Sequence, residues 1–257
     1  MTKTRTLTLA GTEVARIGLG TNRLTNTAEN RAFVNEAVAA GIGLIDSAHL
    51  YAGGASEATI GAALAPFPDG TLVATKGGYE PGHGRPDVLR GEIEESFRRL
   101  QTDTISLYYL HRVDPQTPLE ESLAVIADYH EAGRIQAVGV SAVTVEQVER
   151  AREVVPITAV QNHYNLAERQ YEDVVDYCAE AGIVFVPYFP LRDLSAPALS
   201  EIAQRHGATR TQIALAWLLC RSPAVLPIPG TLSIEHLLQN LAALEIELDD
   251  GEFDALC

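Results

Sequence analysis

Along the chain, short runs of apolar residues alternate with longer stretches in which apolar positions recur at helical spacing. The apolar runs cover residues 17–20, 42–46, 71–76, 105–110, 135–141, 157–161, 183–188 and 224–228, and each reads as a strand. Between them the period changes. In residues 87–100, Leu89, Ile93, Phe97 and Leu100 return every three or four positions while Arg90, Glu94 and Arg98 fall on other faces, as an amphipathic helix requires. Gly41, Gly133 and Gly182 each follow a helical pattern and precede a strand, where a helix C-terminus often needs positive φ. Strands buried on both faces read as continuous apolar runs, and eight such β/α units close naturally into a barrel of about 250 residues. The expected architecture is therefore α/β, a single (β/α)8 TIM-barrel domain over residues 1–257 with a short N-terminal β-hairpin around Leu7, Leu9 and Gly11. An open doubly wound sheet fits less well. The first strand-to-helix junction, Gly18-Leu19-Gly20-Thr21-Asn22-Arg23, lacks the third glycine of a dinucleotide-binding fingerprint.

Composition narrows the partners. The net charge of −15, from 19 basic and 34 acidic residues, repels phosphate backbones and anionic bilayers, so neither nucleic acid nor membrane is expected as a partner. Three cysteines, Cys178, Cys220 and Cys257, are odd in number and widely spaced, which suggests neither a disulfide framework nor a zinc site. No apolar run follows Met1-Thr2-Lys3-Thr4-Arg5 at signal-peptide length and no stretch reaches membrane-span length, so a cytoplasmic protein is expected.

In barrels of this kind the chemistry collects at the C-terminal ends of the strands. Asp46 ends the second run, Lys76 the third, Ser141 the fifth, Gln161 the sixth and Tyr188 the seventh; His111 follows the fourth and Tyr51 lies just beyond Asp46. Taken singly, a strand-end Asp or Ser is usually a helix cap, and a lone His or Tyr a hydrogen-bonded rim residue. Converging on one mouth, they supply the acid, the cation and the orienting group of proton-transfer chemistry. A phenol is a reluctant acid at neutral pH, with an ordinary pKa of about 10, and the charge of Lys76 would favour its phenolate and lower that value. Asp46 would keep Lys76 charged and in place.

From about Arg16 to the C-terminus the chain resembles the aldo-keto reductases. The resemblance rests on Gly41-Ile42-Gly43-Leu44-Ile45-Asp46-Ser47-Ala48-His49-Leu50-Tyr51 with the later Glu57 and Gly61, on Ala74-Thr75-Lys76-Gly77, and on Tyr108-Tyr109-Leu110-His111. It implies an enzyme that reduces an aldehyde or ketone with NADPH, NADH not being excluded, through a tetrad of Asp46, Tyr51, Lys76 and His111. In that reading Tyr51 is the general acid and His111 orients the carbonyl. It further implies that Ser141 and Gln161 hold the nicotinamide carboxamide, that Tyr188 stacks on its ring, and that Tyr188-Phe189-Pro190-Leu191 begins the loop over the pyrophosphate. Gly20, Thr21, Asn22 and Asp46 join these contacts. The segment from Ile228 through Gly230, Thr231 and His236 to Gln239 and Asn240 is similar to the one that binds the adenosine phosphate.

Three residues depart from the family pattern. Ala142 stands where an asparagine usually follows the serine, which implies one lost carboxamide contact. Gly230 and His236 stand where members preferring the phosphorylated cofactor usually carry lysine and arginine. Thr231 and the free amides near Ser233 remain as phosphate donors. Short loops, with little chain after Glu252, imply an open mouth, and Asn22, His49, Tyr79 and Arg112 are its candidate rim residues. His163 is expected to support the rim. The alternatives are a nicotinamide-binding sensor subunit with little turnover, or a metal-dependent hydrolase using Asp46 and His111, which would leave Lys76 unexplained. Oligomeric state stays open, a monomer being the simplest expectation.

Overall fold

The structure is a computed structural model that describes residues 4–256; Met1, Thr2, Lys3 and Cys257 lie outside the described residues. The chain opens with β1 (Thr6–Leu9) and β2 (Thr12–Ala15), paired antiparallel. Ala10 and Gly11 between them take φ of 48° and 76°, the backbone of a two-residue turn whose twist matches its strands. There follow β3 (Leu19–Gly20), β4 (Leu44–Asp46), β5 (Leu72–Gly77), β6 (Leu107–Leu110), β7 (Val138–Ser141), β8 (Ile157–Gln161) and β9 (Val184–Phe185), joined in sequence order as one parallel sheet. The crossovers from β3 to β9 are α1 (Ala28–Ala39), α2 (Ala55–Leu64), α3 (Pro86–Leu100), α4 (Leu119–Glu131), α5 (Val145–Val154) and α6 (Glu172–Ala181). After β9 come α7 (Pro197–His206), α8 (Arg210–Arg221), α9 (Ile234–Ala242) and α10 (Asp250–Ala255).

The sequence pattern accounts for much of this. Leu89, Ile93, Phe97 and Leu100 form the buried face of α3, and Gly41, Gly133 and Gly182 take φ of 102°, 72° and 68° after their helices. The eighth expected strand, residues 224–228, is not a regular one. Pro227 and Pro229 have no N–H to donate, so toward β3 this segment only accepts: Gly18 N donates to Pro227 O at 3.0 Å and Gly20 N to Pro229 O at 3.3 Å. Toward β9, Phe185 N donates to Ala224 O and Leu226 N to Phe185 O, both at 2.9 Å. The two edges of the sheet meet through this segment, which fits a (β/α)8 fold. Gly20 is required at the seam, because a Cβ there would stand 2.7 Å from Ile228 O.

The core has two layers, set by strand alternation. Ile45, Val73, Tyr108 and Val160 pack outward against the helices. Leu44, Leu72, Ala74, Leu107, Tyr109 and Ala159 pack inward, together with Leu9 and Val14 of the hairpin. Residues two apart share a face, so the inner register continues to Asp46, Lys76, His111 and Gln161 at the strand ends. Buried Arg16 ties the hairpin to the closing segment by donating to Thr4 O, Val225 O, Leu219 O and Ser222 O; burial lowers its pKa to about 10. No described helix is long and apolar enough to cross a membrane. Cys178 and Cys220 are unpaired thiols.

Candidate active site

The inner-face polar residues open into a cleft of about 640 Å³, within the size range of small-molecule sites. Asp46, Tyr51, His111, Ser141, Gln161 and Tyr188 line it. Lys76 lies behind the wall, fully buried, and reaches its partners from there. Its Nζ donates to Asp46 Oδ1 and to Ser47 O, both at 2.6 Å, and stands 3.5 Å from the Tyr51 hydroxyl. The second carboxylate oxygen of Asp46 accepts from Gln161 Nε2 at 2.8 Å.

Local backbone sets these positions. Beyond β4 the chain stays bonded to β5, with Ser47 N on Ala74 O at 2.8 Å and His49 N on Lys76 O at 2.9 Å, and then turns sharply. The turn begins at Tyr51, followed by Ala52, Gly53 and Gly54 with φ of 49°, 62° and 90°. A left-handed Ala52 is costly for a residue with a Cβ, and such strain tends to collect where a side chain is held for a purpose. Thr21 fixes the other side of Asp46 by donating to its carbonyl at 2.8 Å. The family-type Glu57 is not in the cleft. It is fully buried, accepts from Thr75 Oγ1 at 2.6 Å and Arg99 Nη1 at 3.3 Å, and so pins α2 to β5 and α3.

Electrostatics give each group a protonation state. Burial pulls the Lys76 pKa down, but the charges of Asp46 and Tyr51 and its hydrogen bonds outweigh that, and its pKa is raised from 10.5. Burial pushes the Tyr51 phenol above its ordinary 10, with Lys76 opposing and Asp46 adding to the rise. This corrects the expectation that Lys76 would bring Tyr51 toward the working range, since the cost of burying a phenolate exceeds the gain from one cation. Burial, then the charges of Lys76 and Arg112, hold His111 well below 6.5, so its imidazole is neutral; Nδ1 is buried without a partner among the described residues. The His111 ring meets Tyr51 edge-on at 6.0 Å and Tyr79 at 4.7 Å between centroids.

Of the residues expected at a cofactor, Gly20, Thr21, Asn22, Phe189, Leu191, Ile228 and Gly230 also line the cleft. Thr231, His236, Gln239 and Asn240 do not: Thr231 Oγ1 accepts from Ser233 N at 3.0 Å, His236 N is capped by Ser233 Oγ, Gln239 O accepts from Gln212, and Asn240 is buried in α9. Tyr79 and Arg112 are on the rim as expected, whereas His49 is turned toward Glu92 at 3.9 Å. His163 stacks on Tyr188 at 5.4 Å, almost parallel at 8°. Ala142 takes φ of 55°, and the loop after it is held by Asn162, whose amide bonds both N and O of Val143. Sequence reasoning missed Arg23, Leu50 and Arg192, which also line the cleft. Arg23 could have been found by extending the strand-end search three residues past Gly20; Arg192 sits in an irregular loop without a periodic signal.

The cleft thus offers an aromatic plane and polar side chains at one end and, along its wall, arginines that have no carboxylate partner among the described residues. Ser141 Oγ has no hydrogen-bond partner among the described residues, and Gln161 beside it has its amide nitrogen committed to Asp46. This donor set suits a flat, amide-bearing ring joined to anionic groups. No group of three metal-ligating side chains occurs among the described residues.

Comparison with known proteins points the same way. The family model described as "Aldo/keto reductase family" matches residues 16–193 and 193–256. The chain is 39% identical over 227 residues to an uncharacterized oxidoreductase of Schizosaccharomyces pombe, covering 84% of this chain and 74% of that protein. It is 36% identical over 239 residues to a pyridoxine 4-dehydrogenase of Escherichia coli, with 87% and 84% covered. An aldo-keto reductase from Klebsiella pneumoniae, crystallised with NADPH, superposes with a TM-score of 0.88 at 31% identity, covering 100% of this chain and 94% of that one.

Proposed function

The chain belongs to the aldo/keto reductase family, and from that premise we propose that this oxidoreductase reduces an aldehyde or ketone to an alcohol with NADPH, Tyr51 being the proton donor. The observation that carries the reading is the Tyr51 hydroxyl 3.5 Å from a fully buried Lys76, which Asp46 holds at 2.6 Å. The donor set of the cleft favours a nicotinamide cofactor, and the relative crystallised with NADPH favours the phosphorylated one. Ser141 and Gln161 would hold its carboxamide, Tyr188 would lie against its ring, and Arg23 and Arg192 would meet its phosphates.

When bound, the reduced nicotinamide supplies hydride to the carbonyl carbon. The protein's part is the proton. A phenol is protonated at neutral pH and burial shifts Tyr51 further in that direction, so its O–H is available to the carbonyl oxygen. As the proton leaves, the Lys76 ammonium stabilises the phenolate that forms, and Asp46 keeps that ammonium charged without competing for the substrate. Neutral His111 carries one N–H and can donate it to the same oxygen, fixing the carbonyl beside Tyr51 without adding a second acid. A closed (β/α)8 barrel, joined through residues 224–230, accounts for how groups from six strand ends, β4 to β9, reach one mouth.

The test is oxidation of NADPH and NADH by the purified protein against a panel of aldehydes and ketones. Turnover is expected with NADPH and at least one carbonyl compound. Tyr51→Phe is expected to lower kcat by roughly 10²- to 10⁴-fold while cofactor affinity is kept. Full reduction by Tyr51→Phe with intact cofactor binding would remove Tyr51 from the mechanism.

A further inference from the structure

In a chain of net charge −15, the cleft carries a concentration of positive charge. Arg23, Arg112 and Arg192 all line it, none of them within ion-pair distance of a carboxylate among the described residues, while its one lining carboxylate, Asp46, is committed to Lys76. Arg23 and Arg192 flank the stretch read above as the cofactor end. Arg112 belongs to the other end: it follows His111 directly, and Tyr79 lies between them, 4.7 Å from the His111 ring and 5.6 Å from the guanidinium. The guanidinium also stands 5.7 Å from the Tyr188 ring and donates to its hydroxyl at 3.3 Å.

Two tyrosines therefore hold a half-buried arginine in place. Cation–π contacts and neutral hydrogen bonds to the two phenols support it, and the guanidinium still has N–H donors to offer beyond them. An arginine whose role is structural ends like Arg16, with its donors spent on backbone carbonyls. Arg112 instead keeps a planar donor fork at the mouth, beside the groups that would meet a carbonyl oxygen. That fork matches the two oxygens of a carboxylate or phosphate.

We propose that Arg112 is a specificity residue that binds an anionic group, carboxylate or phosphate monoester, carried by the carbonyl substrate a few bonds from its reacting carbon. The inference rests on the carbonyl-reductase reading and names its substrate class. Tyr79 and Tyr188 would flank the part of the substrate between anion and carbonyl. In the absence of such a group, the arginine's charge also bears on Tyr51 and His111, so substrate binding and the state of the acid are linked through one side chain.

The test compares matched pairs: 4-carboxybenzaldehyde with 4-methylbenzaldehyde for a carboxylate, and glyceraldehyde 3-phosphate with glyceraldehyde for a phosphate. The wild-type protein is expected to prefer the anionic member of at least one pair by about tenfold or more in kcat/KM, mainly through KM, with the preference shrinking as salt is raised. Arg112→Met should collapse that ratio and Arg112→Lys should retain part of it, whatever either does to overall rate. Calorimetric titration with 4-carboxybenzyl alcohol, which needs no turnover, should show binding that weakens about tenfold in Arg112→Met. Equal use of both members of each pair, or a ratio and an affinity unchanged in Arg112→Met, would overturn the proposal while leaving carbonyl reduction intact. Absence of any reduction would instead overturn the reductase reading, and the titration would then decide the anion site alone.

Discussion

Lys76 and Asp46 form an ion pair at 2.6 Å in which the lysine side chain is unexposed and the aspartate only 2% exposed. Breaking a buried pair by removing one partner leaves an uncompensated charge and costs about 3–5 kcal/mol, whereas replacing both can be nearly neutral. Lys76→Met and Asp46→Asn should each lower the urea midpoint strongly, and the double variant should recover much of the loss. Activity should not recover with it, because the phenolate of Tyr51 would still lack its cation. A double variant as unstable as the sum of the singles would mean that the pair is held by something other than mutual charge.

His111 gives a pH dependence of opposite origin. Burial, followed by Lys76 and Arg112, keeps its folded pKa well below 6.5, while in the unfolded chain it takes up a proton near that value. Below about pH 6.5 the unfolded state binds the extra proton, so stability falls as the solution is acidified. Partly buried His163, also lowered by burial, adds in the same direction. Denaturation at pH 7.5 and 5.0 should show a smaller acid loss in His111→Gln than in the wild type. An equal loss would place the proton uptake elsewhere.

The strand ends were legible in the sequence because parallel strands buried on both faces leave few polar residues, and those that remain fall at the C-terminal rim. That is why Asp46, Lys76, His111, Ser141 and Gln161 could be named from the pattern alone. The closing segment was harder to read. Its apolar run looks like a strand, yet Pro227 and Pro229 remove the donors that would make it regular. The direction of the Tyr51 pKa shift differs from the sequence expectation for another reason: the cation is visible in the sequence, whereas the depth at which the phenol is buried is a property of the whole fold. Arg192 lies in an irregular loop, where no period marks which residue will face the cleft.

Ala142 follows Ser141 in a left-handed conformation, φ 55°, which costs an ordinary L-residue roughly 1–2 kcal/mol and asparagine or glycine less. Ala142→Gly and Ala142→Asn should therefore both raise stability, by about 0.5–1 kcal/mol, or roughly 1–4 °C in Tm for a chain of this size. The two variants separate backbone from chemistry. If the missing amide is a lost cofactor contact, Ala142→Asn alone should also tighten NADPH binding, read by fluorescence titration. Equal NADPH affinity in both variants would confine the effect of Ala142 to the backbone.

Gly230 tests the cofactor end of the cleft. It is exposed, lies on the cleft wall and has negative φ, and a Cβ there would come no closer than 3.3 Å, to Gly20 O, so a side chain needs only a small adjustment of the seam. Family members that strongly prefer the phosphorylated cofactor usually have lysine at this position, and a partly exposed ammonium beside a phosphate adds a charge-assisted contact. Gly230→Lys should lower KM for NADPH while leaving that for NADH nearly unchanged, raising the preference about tenfold, which corresponds to about 1.4 kcal/mol. The gain should fade as salt is raised, because the contact is open to solvent. An equal drop in both KM values would mean that the lysine acts on the pyrophosphate common to the two cofactors. No change in either would move the adenosine phosphate away from Gly230.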